Sequence, residues 1–207
     1  MYEDLLKFAI AFFVVVEPVS LVPAFAGLTA GAGSDHQRRM AVKAVIVAAA
    51  ICLLFALGGT AFLDVMGISL DAFKIGGGVL LFLIAVDMVF ARESAPRHTT
   101  AQEASEARRR EDISVFPLAF PLITGPGALA AILLEVSEPG LSIAAKAALL
   151  GVILLVLLIT LAFMLLATPL MRVIGVTGSN VVSRLSGVVL AALAVQYMID
   201  GLRGAFT

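Results

Sequence analysis

The sequence predicts an all-α membrane protein of six transmembrane helices, in two inverted repeats of three, with the first and fourth helices discontinuous. Three observations lead to this prediction: a low charged fraction, six apolar segments of membrane-spanning length, and a similarity between the two halves. Of the 207 residues, 61% are hydrophobic and 14% are charged, whereas a soluble domain carries about 25% charged residues. Because so few charges cannot cover a water-facing surface, we expect much of the surface to face lipid.

Six segments are long and apolar enough to cross the hydrocarbon core, which takes about 20 residues. The second and fifth contain no charged residue. Proline, glycine or charged residues interrupt the other four, and there we expect the functional groups. The segments are 5–28, 44–63, 72–90, 115–134, 147–170 and 185–204.

The basic residues predict the orientation of these segments. Ten of the 14 Lys and Arg residues lie in the first, third and fifth connections. The chain is therefore expected in the cell (inner) membrane, where the positive-inside rule places these connections in the cytoplasm and both termini outside the cytoplasm. The third connection, 91–114, mixes arginines with carboxylates and is interpreted as a solvated linker between repeat 1 (1–90) and repeat 2 (115–207).

The two halves resemble each other at fixed offsets. Shifting the third segment by 110 residues places the Lys-Ile-Gly-Gly of 74–77 on the Arg-Leu-Ser-Gly of 184–187, and a shift of 108 places Pro18 on Pro126. Because each half has an odd number of helices, the second half must cross the membrane upside down. Inverted repeats of this kind are typical of secondary transporters.

The first segment carries an acidic residue between apolar neighbours. Glu17 lies about twelve residues into the helix, near mid-membrane, where a carboxylate is costly unless it is protonated, paired or facing water. Pro18 and Pro23 each remove a backbone donor. A packed, kinked helix would explain the prolines alone; together with Ser20 and the acid they favour a binding site, with Glu17 as a proton-coupling group.

The fourth segment contains Thr124, Gly125, Pro126 and Gly127, a poor sequence for a continuous helix. It should end one half-helix and begin another. The start of a half-helix offers free N–H groups and partial positive charge, which suit a carboxylate. A packing kink is the alternative, but the matching break in the first segment favours a substrate-binding site.

These two motifs resemble those of the MarC family of membrane proteins. The residues that carry the resemblance are EPxSxxP at 17–23 and FPLAFPLxxGPGA at 116–128. The resemblance extends over essentially the whole chain. It implies neutral amino acid transport, with two discontinuous helices forming a central site for a small zwitterion.

Two further polar residues in apolar segments are candidates. Asp87 is either a second proton-active carboxylate or a side chain that reaches the headgroups, and the sequence leaves both readings open. Gln196 is a candidate substrate ligand, with an interhelical hydrogen bond, beside Tyr197, as the alternative.

The function expected from these residues is secondary transport of a small neutral amino acid or similar small polar solute, coupled to protons. A passive channel or exporter for small solutes is the alternative. It would explain the repeat, but it would leave Glu17 without a role. An intramembrane enzyme is less favoured, since His36 and His98 lie in connections and form no metal motif. We expect no cofactor, no metal and no nucleic-acid partner; the expected partners are the substrate, protons, the lipid bilayer and possible copies of the chain in a homo-oligomer.

Overall fold

The computed structural model describes residues 2–90, 112–137 and 140–206, which are helical apart from short connections. All but the last three residues of the predicted linker lie outside these ranges. Within these ranges, and with α1 and α2 counted as one, five helices are long and apolar enough to cross a membrane, or six with the bent pair α5–α6. The helical segments are α1 Tyr2–Val16, α2 Pro18–Leu28, α3 Ser34–Met66, α4 Leu70–Phe90, α5 Ser114–Ile123, α6 Pro126–Val136, α7 Ile143–Leu165, α8 Ala167–Val173 and α9 Gly175–Phe206.

Several helix bounds differ from the predicted spans. α3 begins at Ser34 rather than at 44, and α9 begins at Gly175 rather than at 185. Hydropathy marks only the apolar part of a helix, whereas the hydrogen-bonded backbone continues into polar turns. α7 ends at Leu165, inside the predicted span 147–170, because Pro169 has no N–H to donate to the Leu165 carbonyl.

α4 and α9 form the most extensive helix pair in the described chain. A Cβ at Gly187 would lie 2.9 Å from the Ala85 carbonyl oxygen, and one at Gly201 would lie 2.7 Å from that of Asp71. Since the start of α4 meets the end of α9, the two helices run antiparallel. Glycine lets the backbones approach this closely because it has no side chain to overlap the facing carbonyls.

The packing partners cross between the two halves of the chain. α3 packs against α5 and α6, whereas α7 packs against α1 and α2. Likewise, α6 packs on α4 and α2 packs on α9. The core therefore lies between the halves, while outer faces expose large apolar side chains such as Leu57 (72%) and Leu158 (60%). Such faces suit lipid rather than water.

Candidate functional site

The backbone leaves the right-handed helical conformation at Glu17, between α1 and α2. Glu17 has φ 54° and ψ 60°, in the left-handed region. Pro18 disfavours the right-handed conformation for the residue before it, and a left-handed non-glycine residue costs about 1–2 kcal/mol. The helix restarts when the Glu17 carbonyl accepts the N–H groups of Ser20 and Leu21, at 3.1 and 3.3 Å. The strained residue is therefore also the N-cap of α2.

The Glu17 carboxyl group is held at the first turn of α2. The Ser20 hydroxyl donates a hydrogen bond to Glu17 Oε1 at 2.6 Å, and both residues are half-buried. Negative charge is favourable at this position because the first N–H groups of a helix lack intrahelical acceptors. The structure thus places Glu17, Pro18 and Ser20 in a single turn.

The second break follows α5, which is not a regular helix. Phe116 and Phe120 have extended dihedral angles, and each precedes a cis proline. Thr124 donates both its N–H, at 2.9 Å, and its hydroxyl, at 2.7 Å, to the carbonyl of Ala119. α6 then begins at Pro126, at an angle of 58° to α5. The buried hydroxyl of Thr124 therefore fixes the last turn before the bend.

The two helix starts have matching backbones and different side chains. α2 and α6 each have 11 residues and begin with proline. The Gly125 carbonyl accepts the N–H groups of Ala128 and Leu129, at 2.9 and 3.2 Å, as the Glu17 carbonyl does in α2. The α2 start carries a carboxyl group and a hydroxyl at Glu17 and Ser20, whereas the α6 start carries glycine and alanine. One start is acidic and the other is bare backbone.

The start of α6 lies against the end of α1. A Cβ at Gly127 would be 3.4 Å from Val15 Cγ1 and 2.7 Å from Ile84 Cδ1 of α4. Val15 precedes Glu17 by two residues, so the structure brings the two breaks together. Thr124, Gly125 and Gly127 are buried, and Pro126 is half-buried.

Sequence reasoning missed Ser179, a buried serine near the start of α9. Pro23 has no N–H, so the Val19 carbonyl cannot receive the usual bond from four residues later. The Ser179 hydroxyl, in a residue only 2% exposed, donates to the Val19 oxygen at 3.3 Å. The signal in the sequence was Pro23 itself: a carbonyl that a proline frees needs a donor from elsewhere.

Asp87 and Gln196 belong to α4 and α9, outside the two helix starts. Asp87 is half-buried on α4, one turn beyond Ile84. Gln196 is exposed, and its Nε2 donates to Asp200 Oδ1 at 2.9 Å within α9. The structure does not bring Gln196 to the predicted substrate site. The prediction could not foresee this, because hydropathy does not indicate which face of α9 points outward. Among the described residues, no three His, Cys, Asp or Glu side chains are placed to hold a metal ion.

An ion pair lies at the end of the bundle where α5 begins. Lys43 of α3 donates to Asp112 Oδ2, while the N–H and hydroxyl of Ser114 donate to Asp112 Oδ1 at 3.0 and 2.5 Å. The hydrogen bond from Lys43, followed by those from Ser114, holds the pKa of Asp112 well below its usual range. Asp112 thus links α3 of the first half to α5 of the second.

Comparisons with known proteins agree on one family. A family model described as "MarC family integral membrane protein" matches residues 2–206. A UPF0056 membrane protein of Methanocaldococcus jannaschii is 40% identical over 98% of both chains. One from Aquifex aeolicus is 36% identical over 95% of this chain and 91% of its own. The UPF0056 membrane protein YhcE of Escherichia coli is 32% identical over 97% and 92%. No solved structure matches.

Proposed function

From the premise that the chain belongs to the MarC family of integral membrane proteins, we propose that it is a secondary transporter. Its substrate is a small neutral amino acid or a similar small polar solute. The observation that carries the proposal is the pair of helix starts, one acidic and one bare, with the start of α6 packed against the end of α1. Paired half-helix starts inside an apolar bundle are the usual binding site of transporters built from repeats.

An inverted repeat accounts for the packing of the bundle. In such a repeat α1, α2, α3 and α4 correspond to α5, α6, α7 and α9. The contacts of α3 with α5 and α6 then correspond to those of α7 with α1 and α2, and both sets of contacts occur. The contact of α4 with α6 becomes that of α9 with α2, and the α4–α9 pair maps onto itself. The equal lengths of α2 and α6 follow from the same relation. In this proposal α1–α2 and α5–α6 are the two discontinuous membrane helices.

A zwitterion matches the opposite character of the two helix starts. Its carboxylate faces the start of α6, where the helix dipole is positive and no acidic side chain competes. Its ammonium faces the carboxyl group of Glu17, which is held in place by the hydrogen bond from the Ser20 hydroxyl. Thr124, Gly125, Pro126 and Gly127 shape the α6 side. A small side chain suits the site because even a Cβ at Gly127 would meet side chains of α1 and α4.

Proton coupling resides at Glu17 in this proposal. A carboxyl group that neutralises an ammonium cannot at the same time keep its proton. Proton and substrate therefore compete, or they bind in sequence, which links protonation to the transport cycle. Asp87, one turn from the residue that touches the start of α6, is the second candidate for the coupling group.

In the proposed orientation the chain spans the cell (inner) membrane with both termini outside the cytoplasm. The ion pair between Lys43 and Asp112 puts the first and third connections on one side, and the excess of basic residues in these connections assigns that side to the cytoplasm. A cysteine at exposed Asp35 should react with an impermeant maleimide only in permeabilised cells, whereas one at exposed Ala205 should react in intact cells. The opposite labelling pattern would show that the protein has the reverse orientation.

Transport by reconstituted protein tests the function. In a counterflow experiment, liposomes loaded with unlabelled alanine or glycine should concentrate the labelled amino acid transiently. A passive channel lets the two pools mix without such an overshoot. Absence of counterflow across the neutral amino acids would refute the proposed substrate class.

The substitution Glu17→Gln tests the coupling mechanism. It preserves size and removes titration, so it should abolish accumulation driven by a pH gradient. Counterflow exchange should persist but require more substrate, because the ammonium loses its ionised partner. Glu3→Gln is the matched control, because Glu3 is an exposed glutamate in the same membrane span. If Glu17→Gln accumulates substrate at the normal rate and with the normal pH dependence, Glu17 is not the coupling group, and Asp87→Asn becomes the next variant to measure.

A further inference from the structure

Gln196 lies on the side of α9 that faces away from α4. Gly187 contacts α4 directly, and Gln196 follows it by nine residues, which is two and a half helical turns. The amide is exposed and gives one of its N–H groups to Asp200 of the same helix. Within the described part of the chain this is its one hydrogen bond, which leaves a donor and the carbonyl oxygen directed outward.

The depth of Gln196 follows from the antiparallel pairing of α9 with α4. The 21 residues of α4 span about 31 Å, close to the thickness of the hydrocarbon core. Gly201 lies beside Asp71, the second residue of α4. Gln196 precedes Gly201 by five residues, so it sits about 7.5 Å inside this end of the span. Its amide therefore points toward acyl chains rather than water.

The exposed face around Gln196 has a regular spacing. Its members recur at alternating intervals of four and three residues, the spacing of a helix–helix seam. α9 also has the smallest buried share of the five spans, 22% against 33–56% for the others. The exposed residues of this outer seam are Leu185, Val189, Ala192, Gln196, Ile199 and Arg203.

We infer that the outer seam of α9 is an interface with a second copy of this chain, in which the amide of Gln196 pairs with that of the partner's Gln196. A polar group that faces lipid is costly unless it finds a hydrogen-bond partner. Two copies in one membrane share an orientation, so their two-fold axis runs along the membrane normal and equal residues meet at equal depth. An amide is both donor and acceptor, and it is therefore complementary to its own copy at that depth.

Cysteine crosslinking in native membranes tests the interface. Cys52 is the single cysteine and is fully buried; it is replaced by alanine. Ala192→Cys, at the centre of the outer seam, should form a disulfide-linked dimer on oxidation with copper phenanthroline. Leu158→Cys on α7 and Leu57→Cys on α3 are the matched exposed controls and should stay monomeric. Equal crosslinking at the controls, or Ala192→Cys adducts with other membrane proteins in place of the dimer, would overturn the inference.

The amide itself is tested by Gln196→Leu. An interhelical hydrogen bond in lipid has a modest free energy, so the dimer dissociation constant in bilayers should rise about three- to tenfold. Subunit capture in diluted liposomes, counted by single-molecule photobleaching, measures that constant. Gln196→Asn keeps the amide and should restore dimerisation at least in part. An unchanged constant in Gln196→Leu, or equal loss in Gln196→Asn, contradicts pairing through the amide.

Discussion

A close approach between the backbones of α4 and α9 at Gly78 gives a prediction in which two glycines of α4 are compared. A Cβ at Gly78 would lie 2.8 Å from the Ala194 carbonyl oxygen and 2.7 Å from Met198 Cγ, whereas one at Gly76 would meet nothing within 4 Å. Both positions are helical, so alanine gains the same intrinsic propensity, about 1 kcal/mol, at either one. The difference between the two variants therefore isolates the steric cost. Because the Ala194 oxygen belongs to the backbone, it cannot move aside, and overpacking should cost about 1–3 kcal/mol.

The expected result is a lower melting temperature for Gly78→Ala than for Gly76→Ala. For a chain of this size, about 1 kcal/mol corresponds to about 2–4 °C, so the two variants should differ by roughly 2–12 °C. Cys52 provides the assay, since it is fully buried and unique, and a thiol-reactive fluorophore reports its exposure on heating in detergent. Equal melting temperatures for the two variants would refute the close α4–α9 contact.

Three further measurements address the hydrogen-bonded contacts of the bundle. In the folded protein the hydrogen bonds to Asp112 lower the pKa of its carboxyl group. These bonds stabilise the fold fully above about pH 4, the pKa of aspartate in an unfolded chain. The stabilisation is lost as the pH falls from there through the folded-state pKa. The melting temperature of the wild type should therefore fall more steeply from pH 5 to 3 than that of Asp112→Asn; because the pair is exposed, the difference should stay within about 4 °C. Ser179→Ala removes the donor to the carbonyl of Val19 and should destabilise the protein by about 1 kcal/mol in the same thermal assay; an unchanged melting temperature would show that the carbonyl has another partner. Thr124→Val keeps the shape and removes the hydrogen bond from the hydroxyl to the carbonyl of Ala119, so it should lower the stability of the fold by about 1 kcal/mol as well. It should also lower counterflow rates; wild-type rates would exclude Thr124 from the site.

The sequence by itself determined the protein class, the family and the places where the backbone can break. Membrane spans depend on length and apolar content, which composition reports directly, and the membrane and family predictions are confirmed by the family match over residues 2–206. Pro18 and Pro126 lack an N–H and restrict the residue before them, so the helix starts at both places follow from covalent chemistry alone. The inverted topology, the orientation and the coupling role of Glu17 stay predictions.

The tertiary structure alone decided which polar groups meet and which helix faces point outward. The Val19–Ser179 and Lys43–Asp112 contacts join residues 160 and 69 positions apart, and no local pattern encodes such pairs. The outward position of Gln196 was equally hidden. In a soluble helix the polar side marks the surface, but in a membrane helix the lipid-facing and core-facing sides are both apolar, so hydropathy does not distinguish them. Close packing makes that distinction instead, because glycines such as Gly187 and Gly201 admit a neighbouring backbone only where the tertiary fold brings one.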